Sequence, residues 1–128
     1  MATEILINDG GAPARILPFV AAEDITAGYA LAVNSSGEVK LANSGDSEFA
    51  VIGYGLTTIT SGNIVSVITG HGVVLNVYCD NVNAGVGMML GTTDGQLIAA
   101  TNATTKPGCQ ATTLENNSGA GLTKVITH

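Results

Sequence analysis

The 128-residue chain has few aromatic side chains and no tryptophan. Surfaces that bind sugars or nucleobases usually present clustered aromatic rings. The aromatic residues here make up 4% of the sequence and are spread along it, as core residues would be: Phe19, Tyr29, Phe49, Tyr54 and Tyr78. The pattern therefore disfavours a lectin or a base-stacking surface.

Charge is also scarce, and basic charge most of all. Charged residues account for 11% of the chain, and the net charge is −6. The four basic residues are scattered along the sequence: Arg15, Lys40, Lys106 and Lys124. Because phosphate backbones are bound by clustered cations, we expect no nucleic-acid partner.

Long apolar runs and cysteine clusters are missing as well. No run approaches the roughly 18 apolar residues of a membrane span, and the N-terminus lacks the pattern of a signal peptide, so we expect neither membrane association nor secretion. Cys79 and Cys109 match no zinc or redox spacing. Two buried apolar cysteines are favoured over a disulfide, which stays open as the alternative.

Catalytic and metal-binding patterns are equally sparse. The only histidines are His71, in a glycine-flanked turn, and the terminal His128. The segment Asp80–Gly85 resembles a calcium loop only at its glycine, because Val82 and Ala84 occupy places that need oxygen ligands. We therefore expect a protein that is not an enzyme and has no metal or cofactor, with a small β-barrel enzyme kept as a remote third possibility.

Small aliphatic residues separated by Gly, Asn, Ser and Thr fill the chain instead. This pattern predicts short strands and tight turns, and every helical candidate is interrupted by glycine or β-branched residues. The predicted strands are Ile16–Ala21, Tyr29–Val33, Glu38–Ala42, Phe49–Thr57, Asn63–Thr69, Val73–Tyr78, Val86–Leu90, Gln96–Ala100, Cys109–Leu114 and Leu122–Thr127.

The strongest signal is an internal repeat. Ile25–Val33 aligns with Val82–Leu90, and the hairpins that follow also align. A third element aligns Gly53–Ile59 with Gly108–Leu114. We predict an all-β fold: a small antiparallel β-barrel or sandwich of two similar halves, residues 16–70 and 73–127, within a single domain of residues 16–128. Residues 1–15 are predicted to form an extended N-terminal arm.

Taken together, the pattern resembles the small β-rich decoration, or cement, proteins of tailed-phage heads. The likeness covers about residues 16–127 and is carried by Ile25–Gly28, Ala50–Leu56, Ile64–Ile68, Gly72–Val77, Val82–Gly85, Gly108–Thr112 and Val125–Ile126. The resemblance implies a virion protein, assembled in the host cytoplasm, that binds the outside of the capsid as a homotrimer. It would bridge copies of the major capsid protein against internal DNA pressure.

We place the expected capsid contact on the arm, at Ile5, Leu6, Ile7 and Arg15. Self-association is expected on apolar strand faces too small to be covered within one chain. The alternative is an adhesive or receptor-binding module of a phage fibre or tail, for which an Asn- and Thr-rich β surface is also suitable.

Overall fold

The computed structural model of the protein describes residue 5 and residues 14–46, 50–100 and 110–128. All ten predicted strands are present, with bounds that differ from the prediction by at most two residues, and the described residues include no α-helix. The strands are β1 (Arg15–Val20), β2 (Ala30–Val33), β3 (Val39–Leu41), β4 (Val51–Gly55), β5 (Ile64–Thr69), β6 (Val74–Cys79), β7 (Gly87–Leu90), β8 (Leu97–Ala99), β9 (Ala111–Thr113) and β10 (Gly121–Thr127). None of the described segments is a helix that could cross a bilayer.

The chain folds as two halves with the same topology, which confirms the predicted all-β fold. The N-terminal half is a five-stranded sheet in the order β1-β5-β4-β2-β3, and the C-terminal half is a closed barrel in the order β10-β6-β8-β7-β9. Each half is closed by a parallel bridge, between Ala21 and Val39 in the first and between Cys79 and Leu97 in the second. Cys79 follows Ala21 by 58 residues, and Leu97 follows Val39 by the same number. The repeat in the sequence is therefore also a repeat of the structure.

The structure corrects one part of the sequence alignment. The predicted third element equated Ile59 with Leu114, an offset of 55. In the structure the Leu56 N–H donates to the Ser66 carbonyl and the Leu114 N–H donates to the Lys124 carbonyl, each at 2.8 Å. Leu114 is therefore equivalent to Leu56, and the offset of 58 holds through the third element. The shorter offset aligned Thr57 and Thr58 with Thr112 and Thr113. In the structure the first pair is exposed, whereas Thr112 is half-buried and Thr113 is buried.

Each half has an apolar interior of small aliphatic residues. Because successive side chains of a strand point to opposite faces, Leu31, Val65 and Val67 of the N-terminal half pack together in one core. Alanines at the intervening positions of β2, Ala30 and Ala32, join a larger core that includes most of the C-terminal half. The small alanine side chains let the two halves approach closely.

Backbone hydrogen bonds join the halves directly. The Tyr78 N–H donates to the Gly28 carbonyl at 2.9 Å, and the Ala30 N–H donates to the Gly95 carbonyl at 3.0 Å. Gly28 and Gly95 both have positive φ, at 86° and 76°. A Cβ on Gly95 would lie 2.5 Å from the ring of Tyr29, so only glycine permits this approach. We call this set of contacts the half–half interface.

Candidate interaction surface

The outer face of β1 and the start of β5 is apolar and open. Antiparallel pairing places Val20 opposite Ile64 and Ile16 opposite Ile68, so alternate residues of β1 share one face with β5. We define the β1–β5 face by Ile16, Pro18, Val20 and Ile64. Ile16 is 49%, Val20 38% and Ile64 56% exposed, and Leu17 on the opposite side of β1 is 40% exposed. Four large apolar side chains in contact with water over one strand pair indicate an interaction surface.

The backbone of β1 also has a free edge beside this face. Among the described strands, β1 pairs along its length with β5 alone, and the Ala21 N–H donates towards β5, to the Asn63 carbonyl at 2.9 Å. Because successive N–H groups of a strand point in opposite directions, the Val20 N–H points away from β5. Pro18, which has no N–H, interrupts the edge and limits unspecific strand addition.

The charge around the face is low. Neither β1 nor β5 contains a carboxylate, and Arg15 is the one ionisable residue in the two strands. Elsewhere, Glu23, Asp24, Asp94 and Glu115 accept hydrogen bonds, and Asp46 forms an ion pair with Lys40 at 2.9 Å. Burial tends to raise the pKa of Asp46, but hydrogen bonds from Lys40 and the Asn43 backbone, with the Lys40 charge, lower it below its ordinary value. The face is therefore suited to apolar contacts.

The predicted arm residues fall in different environments. Ile5 is 7% exposed, and its carbonyl accepts a hydrogen bond from the Asn76 N–H at 2.7 Å, on the outer edge of β6. Its side chain lies beside Gly28, within the core shared by the halves. Arg15 is exposed and is the first residue of β1. Leu6 and Ile7 lie outside the described residues, and the role of all four residues at a capsid stays a prediction.

Sequence inspection missed the β1–β5 face, although one signal was present. β1 reads Arg-Ile-Leu-Pro-Phe-Val, which is apolar at consecutive positions where a half-buried strand would alternate. Such a run predicts burial on both sides, and the described part of the chain covers neither side fully. An uncovered run of this kind is the mark of a strand completed by a partner.

A cleft of about 380 Å³ opens between the halves where β5 leads into β6. His71 and His128 line it, and the His128 Nε2 lies 2.7 Å from the Thr112 hydroxyl oxygen. The described lining residues include no carboxylate and no cysteine. Across the described part of the chain, no group of three or more His, Cys, Asp or Glu residues could hold a metal ion.

Cys79 carries a buried free thiol in the core. Burial raises the pKa of this thiol to about 12, against a smaller opposing effect of a hydrogen bond with Thr123. The thiol is thus an unreactive core group, which agrees with the prediction of a buried apolar cysteine at this position. Cys109 lies outside the described residues.

Comparison with known proteins identifies a structural relative. No protein-family model matches the chain. No curated protein matches its sequence. Among solved structures, the chain is similar to the N base of the head fibre protein gp8.5 of bacteriophage phi29, with a TM-score of 0.65 and 11% sequence identity. The match covers 90% of this chain and 94% of the phage chain. At this identity the likeness establishes a shared fold, over nearly the whole length of both chains.

Proposed function

We propose that the chain is a structural, non-catalytic protein of a phage virion that binds the outer surface of the head. The observation that carries this proposal is the shared fold with the base of a phage head fibre over 90% of the chain. The sequence resemblance to head decoration proteins leads independently to the same class. An acidic protein is also better suited to the outside of a shell than to contact with packaged DNA.

Within this class we propose the role of a capsid cement protein. The chain would associate as a homotrimer and bridge neighbouring major capsid proteins, so that several weak contacts add up to firm attachment. The exposed apolar surface of β1 and β5 supports self-association. The arm, with Leu6, Ile7 and Arg15, is the proposed capsid contact.

Binding to purified heads tests the attachment. Heads of the phage that encodes the chain, lacking this protein, are mixed with it and pelleted, and the bound copies per head are counted. We expect saturation at one oligomer per repeating lattice position and greater resistance of the loaded heads to heating. Saturation at only a few copies per head would support the fibre or adhesive alternative instead, and no binding would contradict head attachment altogether.

Substitutions in the arm test the contact residues. The double variant Leu6→Asp/Ile7→Asp should lose head binding at least tenfold while keeping its oligomeric state. Ala12→Asp, which adds an acidic group to the same segment, is the matched control and should bind as the parent does. Equal binding by the double variant and the control would contradict a contact at Leu6 and Ile7.

A further inference from the structure

Two turns are equivalent in the halves: the Gly28 turn, formed by Ala27 and Gly28, and the Gly85 turn, formed by Ala84 and Gly85. We infer that the half–half interface within one chain is repeated between chains, so that the β1–β5 face of one copy binds the Gly85 turn of a second copy. The inference deepens the proposed function at one point, self-association, and does not depend on attachment to a head. It follows from the internal repeat, which gives each half the same two surfaces, while the described residues of the chain cover only one copy of each.

The first of these surfaces is the outer edge of β6, which is covered within the chain. Along this edge the Asn76 N–H donates to the Ile5 carbonyl, the Tyr78 N–H to the Gly28 carbonyl and the Asp80 N–H to the Leu97 carbonyl. At the offset of 58, Asn76, Tyr78 and Asp80 are equivalent to Pro18 and Val20 of β1 and to Ala22, which follows β1. Ala22 N–H donates to the Val39 carbonyl at 2.8 Å, as Asp80 does to Leu97.

The third site is filled in the same way in both halves, whereas the first two differ. Pro18 has no N–H and needs no equivalent of Ile5, whereas Val20 has an N–H and no equivalent of Gly28 among the described residues. The side chain equivalent to Ile64 is Leu122, which is half-buried beside Gly28. The β1–β5 face is therefore an uncovered copy of the surface that receives the Gly28 turn.

The second surface is the turn itself, which is present twice in the same shape. The Gly28 N–H donates to the Gly55 carbonyl and the Gly85 N–H donates to the Thr113 carbonyl, both at 2.8 Å, and φ is 86° and 79°. The Ala27 N–H donates to the Thr58 hydroxyl and the Ala84 N–H to the Asn116 side-chain oxygen. Gly28 is packed against Leu122, whereas a Cβ on Gly85 would meet nothing within 4 Å. The Gly85 turn is thus an uncovered copy of a turn that is covered in the other half.

The exposed large apolar residues agree with this arrangement. They are Ile16, Leu17, Val20, Ile64 and Leu114. The first four lie on β1 and β5, and the fifth is equivalent to Leu56, which is half-buried against the core shared by the halves. The equivalents of Ile16, Val20 and Ile64 are Val74, Tyr78 and Leu122, which are all half-buried. Leu17 lies on the opposite side of β1, and its equivalent Leu75 is buried in the core on the opposite side of β6. Repeating the interface between chains would cover Ile16, Val20, Ile64 and Leu114.

The contacts between copies follow from the equivalence of the two halves. The Val20 N–H of one copy would donate to the Gly85 carbonyl of the next, and Val86 would pack on Val20 where Tyr29 stacks on Tyr78 within the chain. The two surfaces are different, so the contact is heterologous and builds a ring if the rotation closes. In a ring of three copies, six equivalent halves would alternate contacts within and between chains.

The test uses two variants in exposed side chains, one on each surface. Ile64→Glu places a buried charge on the receiving face, and Leu114→Glu does so beside the donating turn. Sedimentation equilibrium should give an oligomer for the parent chain and the 12.8 kDa monomer for each variant. His71→Glu, an acidic change at an exposed residue of the turn between the halves, is the matched control and should keep the parent mass.

Mixing the two variants separates this contact from any symmetric one. The intact turn of Ile64→Glu can bind the intact face of Leu114→Glu, so the mixture should form a one-to-one dimer and no larger species. A monomeric parent, an unchanged mass for either variant, or a mixture that stays monomeric would overturn the inference. Circular dichroism and thermal unfolding establish that both variants are folded. These experiments do not measure head binding. The absence of the contact between copies would therefore not contradict the proposed attachment to a head, and a failure to bind heads would not contradict this contact.

Discussion

The ring of Tyr29 in the N-terminal half stacks on the ring of Tyr78 in the C-terminal half, with centroids 4.4 Å apart and 17° between the ring planes. The stack lies beside the hydrogen bond from Tyr78 to Gly28. Because a five-stranded half of this size has a small core, contacts across the interface are needed to stabilise both halves. The two halves should therefore unfold as one unit.

Removal of the Tyr29 ring tests this coupling. We expect Tyr29→Ala to lower the free energy of unfolding by about 2 kcal/mol, because it removes the stack and the packing on Gly95. A double-mutant cycle with Tyr78→Ala should give a coupling of about 1 kcal/mol.

Urea unfolding followed by circular dichroism and by tyrosine fluorescence should give coincident transitions. Two separate transitions in the parent chain would contradict cooperative unfolding.

Two equivalent glycines allow a matched test of the close approach between the halves. Gly37 and Gly95 occupy the same hairpin position and have φ of 80° and 76°. Replacing either by alanine incurs the positive-φ cost, about 1 kcal/mol. Gly95→Ala also places a methyl group against Tyr29, whereas Gly37 has nothing within 4 Å.

We therefore expect Gly95→Ala to cost at least about 2 kcal/mol more stability than Gly37→Ala, by analogy with overpacked cores. Chemical denaturation of the two variants in parallel measures the difference. Equal losses would show that the halves can separate locally without cost.

The ion pair of Asp46 should make stability depend on pH in the acidic range. Asp46 accepts hydrogen bonds from Lys40 and from the Asn43 N–H, each at 2.9 Å. The folded-state pKa of Asp46 is lowered, so its contribution is present above the unfolded-state pKa, about 3.9, and is lost as pH falls through the folded value.

We expect Asp46→Asn to cost about 1 kcal/mol at pH 7, since the pair is partly exposed to solvent. The difference from the parent should shrink as the pH falls below the unfolded-state pKa, about 3.9, and on through the lowered folded-state value, because the parent carboxylate then becomes protonated too. Unfolding curves of both proteins, measured in steps from neutral to strongly acidic pH, give the difference. A difference that stays constant would assign the effect to packing instead of charge.

The sequence predicted the strands and the repeat well because both depend on local pattern. Turn glycines such as Gly28, Gly37, Gly85 and Gly95 mark the ends of strands, and alternation identifies the strands between them. The contacts between halves depend on which outer surfaces meet, and outer residues carry no such pattern. The docking of Ile5 on β6 therefore had no sequence signal, and the exposure of β1 had only its unbroken apolar run.

The buried thiol of Cys79 provides the last test, because its reactivity reports on the integrity of the core. With its pKa raised to about 12 by burial, the thiolate fraction at pH 8 is on the order of 0.01%. In the Cys109→Ser variant Cys79 is the only remaining cysteine. We expect a thiol reagent at pH 8 to label this variant only at the rate of unfolding, and fully in denaturant. The addition of Tyr29→Ala, which loosens the half–half interface, should speed labelling by up to about 30-fold, which corresponds to the expected loss of about 2 kcal/mol in the free energy of unfolding. Rapid labelling of the folded Cys109→Ser protein would contradict a closed core around β6.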